Sequence, residues 1–432
     1  MKAIASVFTL LLGVAIILAG NGLVGTLLGV RGELEGLSAS VLGLIMAGYF
    51  AGFMVGTFAV PRLIRRVGHI RAFAALASLA SVAALLHGLY LQPVLWFILR
   101  IASGVCIVGL YIAIESWLNE QTTNEQRGHV FSAYMTTTLI GLGIGQLLLM
   151  AGDARQLELF ALGSVLLSLG LVPVAMTDVH EPPIAEGSRL GLGKLYDISP
   201  LGVIGCIFAG AGAGAFWGLG PVFASAIGLD KGGIAAFMGL VILGGVIMLW
   251  PVGRLSDHFE RRRVLAWTCV AASLAAAATA FLIPFGTIWV MAGGLAYGAF
   301  AFSIYSLAAA HTNDHLESTH ILEVTSALQL LWAGGAIVSP IVAGLLMQRF
   351  GPESLMLFMG AMALAPAVFA AYRMRVSESI PIEDQSDFVP QFVTSPAALE
   401  MHPDLEAAEE VPAPDKPGEE PGDAGGENSR SS

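Results

Sequence analysis

The sequence predicts an all-α membrane protein in which twelve transmembrane helices form two pseudo-symmetric six-helix bundles. Three observations lead to this fold class. Hydrophobic residues make up 56% and charged residues 12% of the 432 residues, with a mean hydropathy of +0.75, whereas soluble domains contain about 25% charged residues. Apolar runs long enough to cross a bilayer recur along the chain. Several short patterns occur twice, 192 to 194 residues apart.

The first apolar run, which follows Lys2, is too long for the apolar region of a signal peptide, so we predict an uncleaved first helix. The predicted spans are residues 5–29, 39–61, 72–90, 94–118, 129–151, 156–176, 199–225, 231–254, 263–283, 287–311, 320–348 and 353–373. The predicted domains are therefore an N-terminal bundle (1–176), a cytoplasmic linker (177–198), a C-terminal bundle (199–376) and a tail (377–432).

Charge sets the orientation of the spans. Fourteen Lys and Arg residues fall on the side of the N-terminus and four on the other side, so we expect both termini in the cytoplasm. The tail holds 14 acids and two bases, which accounts for the net charge of -11 and leaves the helical region near neutral. No basic face for nucleic acid is therefore expected. Because the tail is acidic and rich in Pro and Gly, we predict that it is disordered.

The repeated patterns indicate an internal duplication. Residues 253–263 (GRLSDHFERRR) have a degraded copy at 61–71, and residues 141–146 have a counterpart at 335–340. Tyr111 likewise corresponds to Tyr305, 194 residues later. Duplication is typical of secondary transporters, in which the substrate site lies between the repeats.

An acid before a basic cluster, as at Asp257, can act as a latch by docking on a helix N-terminus. The three arginines at 261–263 are also explained by topology alone.

The loop 253–262 resembles the loop signature of the major facilitator superfamily, with Glu260 where Gly is usual, and residues 100–104 resemble its helix-4 arginine signature. Five further stretches are similar to the YcaD-type subgroup of bacterial inner-membrane transporters. They are residues 115–116, 127–128, 202–207, 250–257 and 346–350. The resemblance implies a bacterial inner-membrane protein that works by alternating access. The first-half copy departs from the pattern, because Arg65 replaces the signature acid, although Arg66 and Gly68 remain.

Polar and aromatic side chains within the apolar runs are the candidates for a central solute cavity, since such groups are costly at membrane depth. Aromatic walls with a few amides suit a neutral or amphipathic organic solute, although each aromatic residue is individually more typical of packing. Repeat symmetry makes Tyr111 and Tyr305 the preferred pair. The candidates are Asn21, Tyr49, Arg100, Tyr111, Gln146, Trp217, Tyr297, Tyr305, Gln329 and Trp332.

Glu115 is the candidate for proton coupling. It lies 15 residues beyond Arg100 on the same predicted helix, roughly 22 Å away at the rise of an α-helix, so the two do not pair directly. The alternative is a structural bridge between Glu115 and Arg127. We expect no metal site, since His311 and His315 have no cysteine partner and fall at a loop, and we expect no cofactor.

The resemblance implies that the loop between helices 8 and 9 faces helix 5, and that the loop between helices 2 and 3 faces helix 11. On that basis two latches are predicted to close the cytoplasmic side when the opposite side is open. Asp257 would dock at the start of helix 5 near Arg127, and Arg65 would pair with Glu317 or Glu323. The residues assigned to gating are Arg65, Arg66, Gly68, Arg127, Gly253, Arg254, Asp257, Arg261, Arg262 and Glu323.

The predicted function is secondary transport of a small organic solute, driven by protons, by a monomer in a lipid bilayer. The alternative is a membrane sensor or scaffold that signals through the acidic tail. An enzyme is not expected, since the sequence contains neither a His-Glu-x-x-His nor a Gly-x-Ser-x-Gly pattern.

Overall fold

The computed structural model describes residues 2–122, 126–176, 192–316, 321–377, 380–386, 388–395 and 397–398. Within this part of the chain the regular elements are all helices, and twelve of them are long and apolar enough to cross a membrane, which confirms the predicted fold class. We label these spans α1 to α12. They are Val7–Leu34, Ala39–Val67, His69–Leu89, Pro93–Glu120, Arg127–Ala151, Glu158–Ala175, Pro200–Ala226, Lys231–His258, Arg261–Phe285, Thr287–Asn313, Glu323–Phe350 and Ser354–Val376.

Some spans change geometry near the bundle ends or within their length. The helix of α1 begins at Lys2, and α11 begins at Ile321. The last turns of α5 and α9 are 3-10 helices, Leu148–Ala151 and Ile283–Phe285. A break at Gly170 divides α6, and a break at Phe302 divides α10. A short helix, Leu192–Ile198, precedes α7, while residues 177–191 of the predicted linker lie outside the described residues.

Equivalent glycines produce the same close helix contacts in both halves. A Cβ added to Gly52 of α2 would overlap the carbonyl oxygen of Ile101 in α4. The same overlap occurs in α8 and α10, between Gly244 and Leu295, at positions 192 and 194 residues later. Since any side chain at these positions would separate the backbones, the glycines allow each helix pair to pack in the same way. The two bundles are thus built on one repeated packing scheme.

The two halves meet at one end of the molecule. We call the end where α1 begins, which is the predicted cytoplasmic side, the inner side, and the opposite end the outer side. At the outer side, Ser225 of α7 donates a 2.6 Å hydrogen bond to Glu33 of α1, and Lys231 of α8 donates to the carbonyl of Gly152 at 2.7 Å. Gly43 of α2 lies directly against the carbonyl of Pro340 in α11. The outer side is therefore closed.

At the inner side, part of the tail lies between the halves. The described tail residues between 380 and 398 include a 3-10 turn, Ile382–Asp384, and buried side chains at Val393, Thr394 and Ser395. This differs from the disorder expected from residue 377 onward. The physical reason is local composition, because residues 388–399 contain no charge and lie between Asp387 and Glu400. Residues 399 and beyond lie outside the described part of the chain.

Candidate functional site

A cavity of about 80 Å³ lies at the seam between the halves, near the middle of the spans. We call it the central cavity. The N-terminal half contributes polar and aromatic side chains from α1, α2 and α4, and the C-terminal half contributes Trp217 of α7 and Trp332 of α11. Two tail residues, Phe392 and Val393, form its inner boundary. The full lining is Asn21, Gly22, Gly25, Thr26, Tyr49, Phe50, Phe53, Arg100, Tyr111, Leu142, Trp217, Trp332, Phe392 and Val393.

Arg100 is the charged group of this lining. Its guanidinium carbon lies 4.4 Å from the centroid of the Tyr49 ring, and Asn21 donates a 3.4 Å hydrogen bond to the Tyr49 hydroxyl. Gly104, one turn beyond Arg100, lets α4 approach the backbone of Tyr49, because a Cβ there would overlap the Tyr49 carbonyl. The Arg100 side chain is buried, and its Nε has no hydrogen-bond partner among the described residues. A buried unpaired donor is costly, so this group favours an acceptor supplied by a ligand.

Aromatic rings form the walls around Arg100. Phe50 meets Trp332 edge to face across the seam, with ring centroids 6.1 Å apart, and Phe53 meets Tyr111 at 6.4 Å. Such edge contacts stabilise ring orientation beyond simple burial of area. The walls therefore join the halves through an aromatic surface that fits an apolar or flat group.

Six of the ten predicted cavity residues line the central cavity, namely Asn21, Tyr49, Arg100, Tyr111, Trp217 and Trp332. The other four lie elsewhere. Gln146 lies behind the wall, where it accepts a hydrogen bond from Thr26. Tyr297 lines a separate small cavity inside the C-terminal half. Tyr305 and Gln329 are buried beside each other away from the lining.

Sequence reasoning missed Phe50, Phe53 and Thr26. Phe53 follows Tyr49 by four residues and Phe50 by three, which are same-face spacings on a helix, so the face marked by Tyr49 was a signal for Phe53 and, through it, for Phe50. It also missed Phe392 and Val393 of the tail. Their signal was the uncharged stretch 388–399 within an otherwise acidic segment.

Glu115 lies on the inner side of the cavity and is fully buried. Tyr134 of α5 donates a 2.5 Å hydrogen bond to its Oε1, and Ser395 of the tail donates to its Oε2. Both partners are hydroxyl groups, and the predicted bridge to Arg127 is not among the contacts that the structure gives Glu115. A carboxylate can accept both bonds, whereas a carboxylic acid can accept one and donate the other. This environment therefore accommodates either protonation state.

The inner ends of α8 and α9 contact the tail. Asp257 accepts a 2.9 Å hydrogen bond from the backbone amide of Phe388 and lies 3.5 Å from Arg261. Arg261 is buried and also contacts Asp314 at 2.5 Å. Burial raises the pKa of Asp314 above its ordinary value of 3.8, while Arg261 and hydrogen bonds from Ser386 oppose this shift. Asp257 thus faces the tail in this conformation.

The remaining gating residues lie around the inner ends of α8 and α9 and of their N-terminal counterparts, α2 and α3. Arg262 contacts Glu260 at 3.0 Å and donates to Ser377, and Arg254 stacks on Trp250 at 3.5 Å. Arg65 and Arg66 are exposed at the end of α2, followed by Gly68 at a positive φ of 87°. Glu323 is half-buried in the first turn of α11, and Glu317 lies outside the described residues. No ion pair between Arg65 and Glu323 is present in the described part of the chain.

Similarity to solved structures agrees with this fold. A mutant of the nucleoside transporter NupG superposes with a TM-score of 0.72 at 13% identity, covering 86% of this chain and 99% of that one. A bacterial homologue of the human lysosomal transporter Spinster, in an inward-facing and occupied conformation, gives 0.68 at 14% identity, with coverages of 87% and 97%. At these identities the likeness establishes the fold alone.

Sequence comparison establishes the family. The chain is 25% identical over 362 residues to the uncharacterized MFS-type transporter YcaD of Escherichia coli strain UMN026, covering 83% of this chain and 93% of the relative. The same values hold for YcaD of strain K12. The Major Facilitator Superfamily model matches residues 10–320 and 202–399, which include all twelve spans except the first three residues of α1. The chain therefore belongs to the major facilitator superfamily, whose members are transporters, and it is a multi-pass membrane protein.

Proposed function

We propose that this protein is a secondary transporter that moves a small amphipathic organic solute through the central cavity by alternating access. The observation that carries the proposal is Arg100, a buried guanidinium in a cavity walled by both halves. A site between two bundles changes its exposure when the bundles rock against each other. The cavity position thus suits a solute that is released on one side after binding on the other.

The chemistry of the lining narrows the solute class. A guanidinium prefers a carboxylate, a phosphate or another planar acceptor, and the rings of Tyr49, Trp217 and Trp332 favour a flat apolar body. No acidic side chain lines the central cavity among the described residues. We therefore expect a small organic anion with an aromatic or other apolar part, which narrows the neutral or amphipathic solute expected from the sequence.

Glu115 is the proposed site of proton coupling. It is buried on the inner side of the cavity, and hydroxyl groups of Tyr134 and Ser395 solvate it. Such a carboxyl group can take up and release a proton when the halves move, because its surroundings change with the conformation.

The described conformation is proposed to be the one that opens toward the cytoplasm, with both termini on that side of a bacterial inner membrane. The closed outer side supports this, through the contacts of Glu33 and Lys231. The two predicted latches, Asp257 at the start of α5 near Arg127 and Arg65 with Glu323, belong to the opposite conformation. They are expected to form when the inner ends approach each other.

The test measures proton movement into proteoliposomes that enclose a pH-sensitive dye. Pools of aromatic carboxylates and their neutral amide analogues are added to wild-type, Glu115→Gln and Glu120→Gln proteins. Glu120 is the matched control, because it is an exposed acid at the end of the same helix. We expect carboxylates to evoke proton flux in wild type and in Glu120→Gln, and Glu115→Gln to abolish that flux.

Other outcomes correct specific parts of the proposal. Uptake of a carboxylate without proton flux would make the protein a facilitator and return Glu115 to a structural role. A preference for the neutral amides would refute the assignment of Arg100 as the anion-binding group. Absence of any transport across all pools would contradict the proposed solute class.

A further inference from the structure

The tail enters the inner opening at a charged anchor. The backbone amide and the hydroxyl of Ser386 each donate to Asp314 at 3.1 Å, and Arg261 donates to the Ser386 carbonyl at 2.6 Å. Arg261 and Asp314 are themselves paired and buried. The pair thus presents both a donor and an acceptor to the tail backbone, which fixes the direction in which the chain continues.

The next anchor is on α8. The ring of Phe388 packs against Gly253, and the Phe388 amide binds Asp257. These two loop-signature residues are four apart, so they lie on one face of the helix. All three atoms nearest to a Cβ built on Gly253 belong to Phe388, and this Cβ would overlap the ring. In this chain, Gly253 therefore makes room for a tail side chain.

Beyond Phe388 the tail crosses from one half to the other. Ser306 of α10 exchanges two hydrogen bonds with the backbone of Gln391, at 2.8 and 3.2 Å. Phe392 then meets Phe302 edge to face at 5.9 Å, and its amide contacts the Met135 sulfur in α5. Finally, Ser395 donates to Glu115 in α4. The tail therefore bridges the two halves across the opening through which a solute would leave the cavity.

We propose that the described tail residues 386, 388–395 and 397–398, which we call the plug segment, form a removable plug that binds the inner opening and must leave before a solute passes. The opening is thereby assigned as a peptide-binding site for this chain's own tail. The inference rests on the proposed function, because it gives the opening a role as a solute pathway. The plug segment would compete with the solute for the inner opening.

Physical constraints support a removable rather than a permanent plug. Phe392 and Val393 occupy the inner boundary of the central cavity, whose 80 Å³ is well below the roughly 300 Å³ of small ligand sites. The inner ends of the halves cannot meet while the plug segment lies between them, so alternating access requires its exit. A connection of about ten residues from α12 keeps its effective concentration near the millimolar range. Rebinding after each exit is therefore favoured.

Docking is tested first in the full-length protein in detergent, by hydrogen exchange and mass spectrometry. The amides of Phe388, Gln391 and Phe392 have acceptors in the helices, so we expect slow exchange across the plug segment. Gly253→Ala should displace the Phe388 ring and raise the exchange rate at least 10-fold. Gly239→Ala on the same helix is the matched control, because a Cβ there has no neighbouring atom within 4 Å. Equal exchange in the two variants would overturn the docking.

Blocking is tested with a thiol placed in the central cavity. Gly25 lines the cavity and has space for a side chain, and the native cysteines are buried. We expect Gly25→Cys to react slowly with a charged methanethiosulfonate reagent, and at least 5-fold faster when combined with Gly253→Ala. The combination with Gly239→Ala should stay slow. If Gly25→Cys reacts equally fast in all three proteins, the segment docks without closing the pathway, and the plug proposal fails.

Neither measurement uses a transported solute. Protected amides together with a shielded thiol would uphold the plug even if no proton flux is found for any solute pool. Conversely, solute-evoked flux combined with unprotected amides would overturn the plug and leave the transport proposal standing.

Discussion

The N-terminal and C-terminal halves share their packing but differ in the chemistry that they place at the seam. In the N-terminal half, Arg100 faces the central cavity and Glu115 lies below it, both from α4. The equivalent positions of α10, 194 residues later, are Gly294 and Ala309. In the duplicated scaffold, the ionisable groups of the proposed solute pathway therefore come from the N-terminal half, and the equivalent positions of the C-terminal half hold small uncharged residues.

The C-terminal half instead provides the charged residues that bind the tail. Asp257, Arg261 and Asp314 hold the backbone of the plug segment. Their N-terminal equivalents are Arg65, His69 and Glu120. Arg65 reverses the charge of Asp257 and His69 lacks the guanidinium of Arg261, whereas Glu120 keeps the acid of Asp314 but is exposed. The charge pattern of the tail anchor is therefore not repeated in the N-terminal half. One half supplies the proposed solute and proton chemistry, while the other anchors the segment that covers it.

The largest effect is expected on stability, when the glycines that allow the same close helix contacts in both halves are replaced. Gly104→Ala places a Cβ against the Tyr49 carbonyl, and Gly298→Ala places one against the Val241 carbonyl. We expect each to destabilise the protein by about 1–3 kcal/mol, as overpacking does in tightly packed interiors. Thermal melting in detergent should show similar decreases in Tm for both variants, because the two contacts are equivalent.

The control is Gly143→Ala, since a Cβ at this position has no neighbour within 4 Å. Its Tm should stay unchanged or rise slightly, as alanine favours a helix over glycine. A large decrease for Gly104→Ala with none for Gly298→Ala would show that the halves are not mechanically equivalent.

The second largest effect is expected at Arg100, the charged cavity residue that has no counterpart in the C-terminal half. Arg100→Gln removes the guanidinium while keeping a polar, though shorter, side chain. A hydrogen bond to a charged group is worth about 1.5–3 kcal/mol, or roughly 10- to 100-fold in affinity. We expect the apparent affinity for an aromatic carboxylate to fall by this factor in uptake assays. The exposed Arg349→Gln serves as the control. Equal affinities in both variants would refute a solute contact at Arg100.

Much of this fold could be predicted from sequence because the membrane restricts the choices. Backbone groups in lipid must bond within their own helix, so twelve apolar runs predict twelve helices. Asn21, Tyr49 and Arg100 stood out because polar groups are rare at that depth. For the same reason, the cavity was partly predictable from single residues.

The sequence did not predict which side chains of a half reach the cavity lining and which lie beside it. Repeat symmetry places Tyr305 on the same helix face as Tyr111, but it does not determine which side chains fill the space beside it. In the structure, Tyr305 lies with Gln329 outside the cavity lining. The tail contacts were missed for a different reason. They join residues far apart in sequence, such as Phe392 and Met135, and periodicity reports only local contacts.

The anchor of the plug segment gives the smallest and most specific effect. Because burial raises the pKa of Asp314, the folded state binds this proton more tightly than the unfolded state does. The contribution of Asp314 to the free energy of unfolding is therefore greatest below its ordinary pKa of 3.8 and falls as pH rises through the raised value. Melting of wild type and Asp314→Asn between pH 4 and 7 should show wild type losing Tm relative to the variant. Glu120→Gln, at the equivalent N-terminal position, should follow wild type throughout. If Asp314→Asn also follows wild type, Asp314 is not buried in the folded protein, and the charged anchor that distinguishes the C-terminal half does not hold the tail.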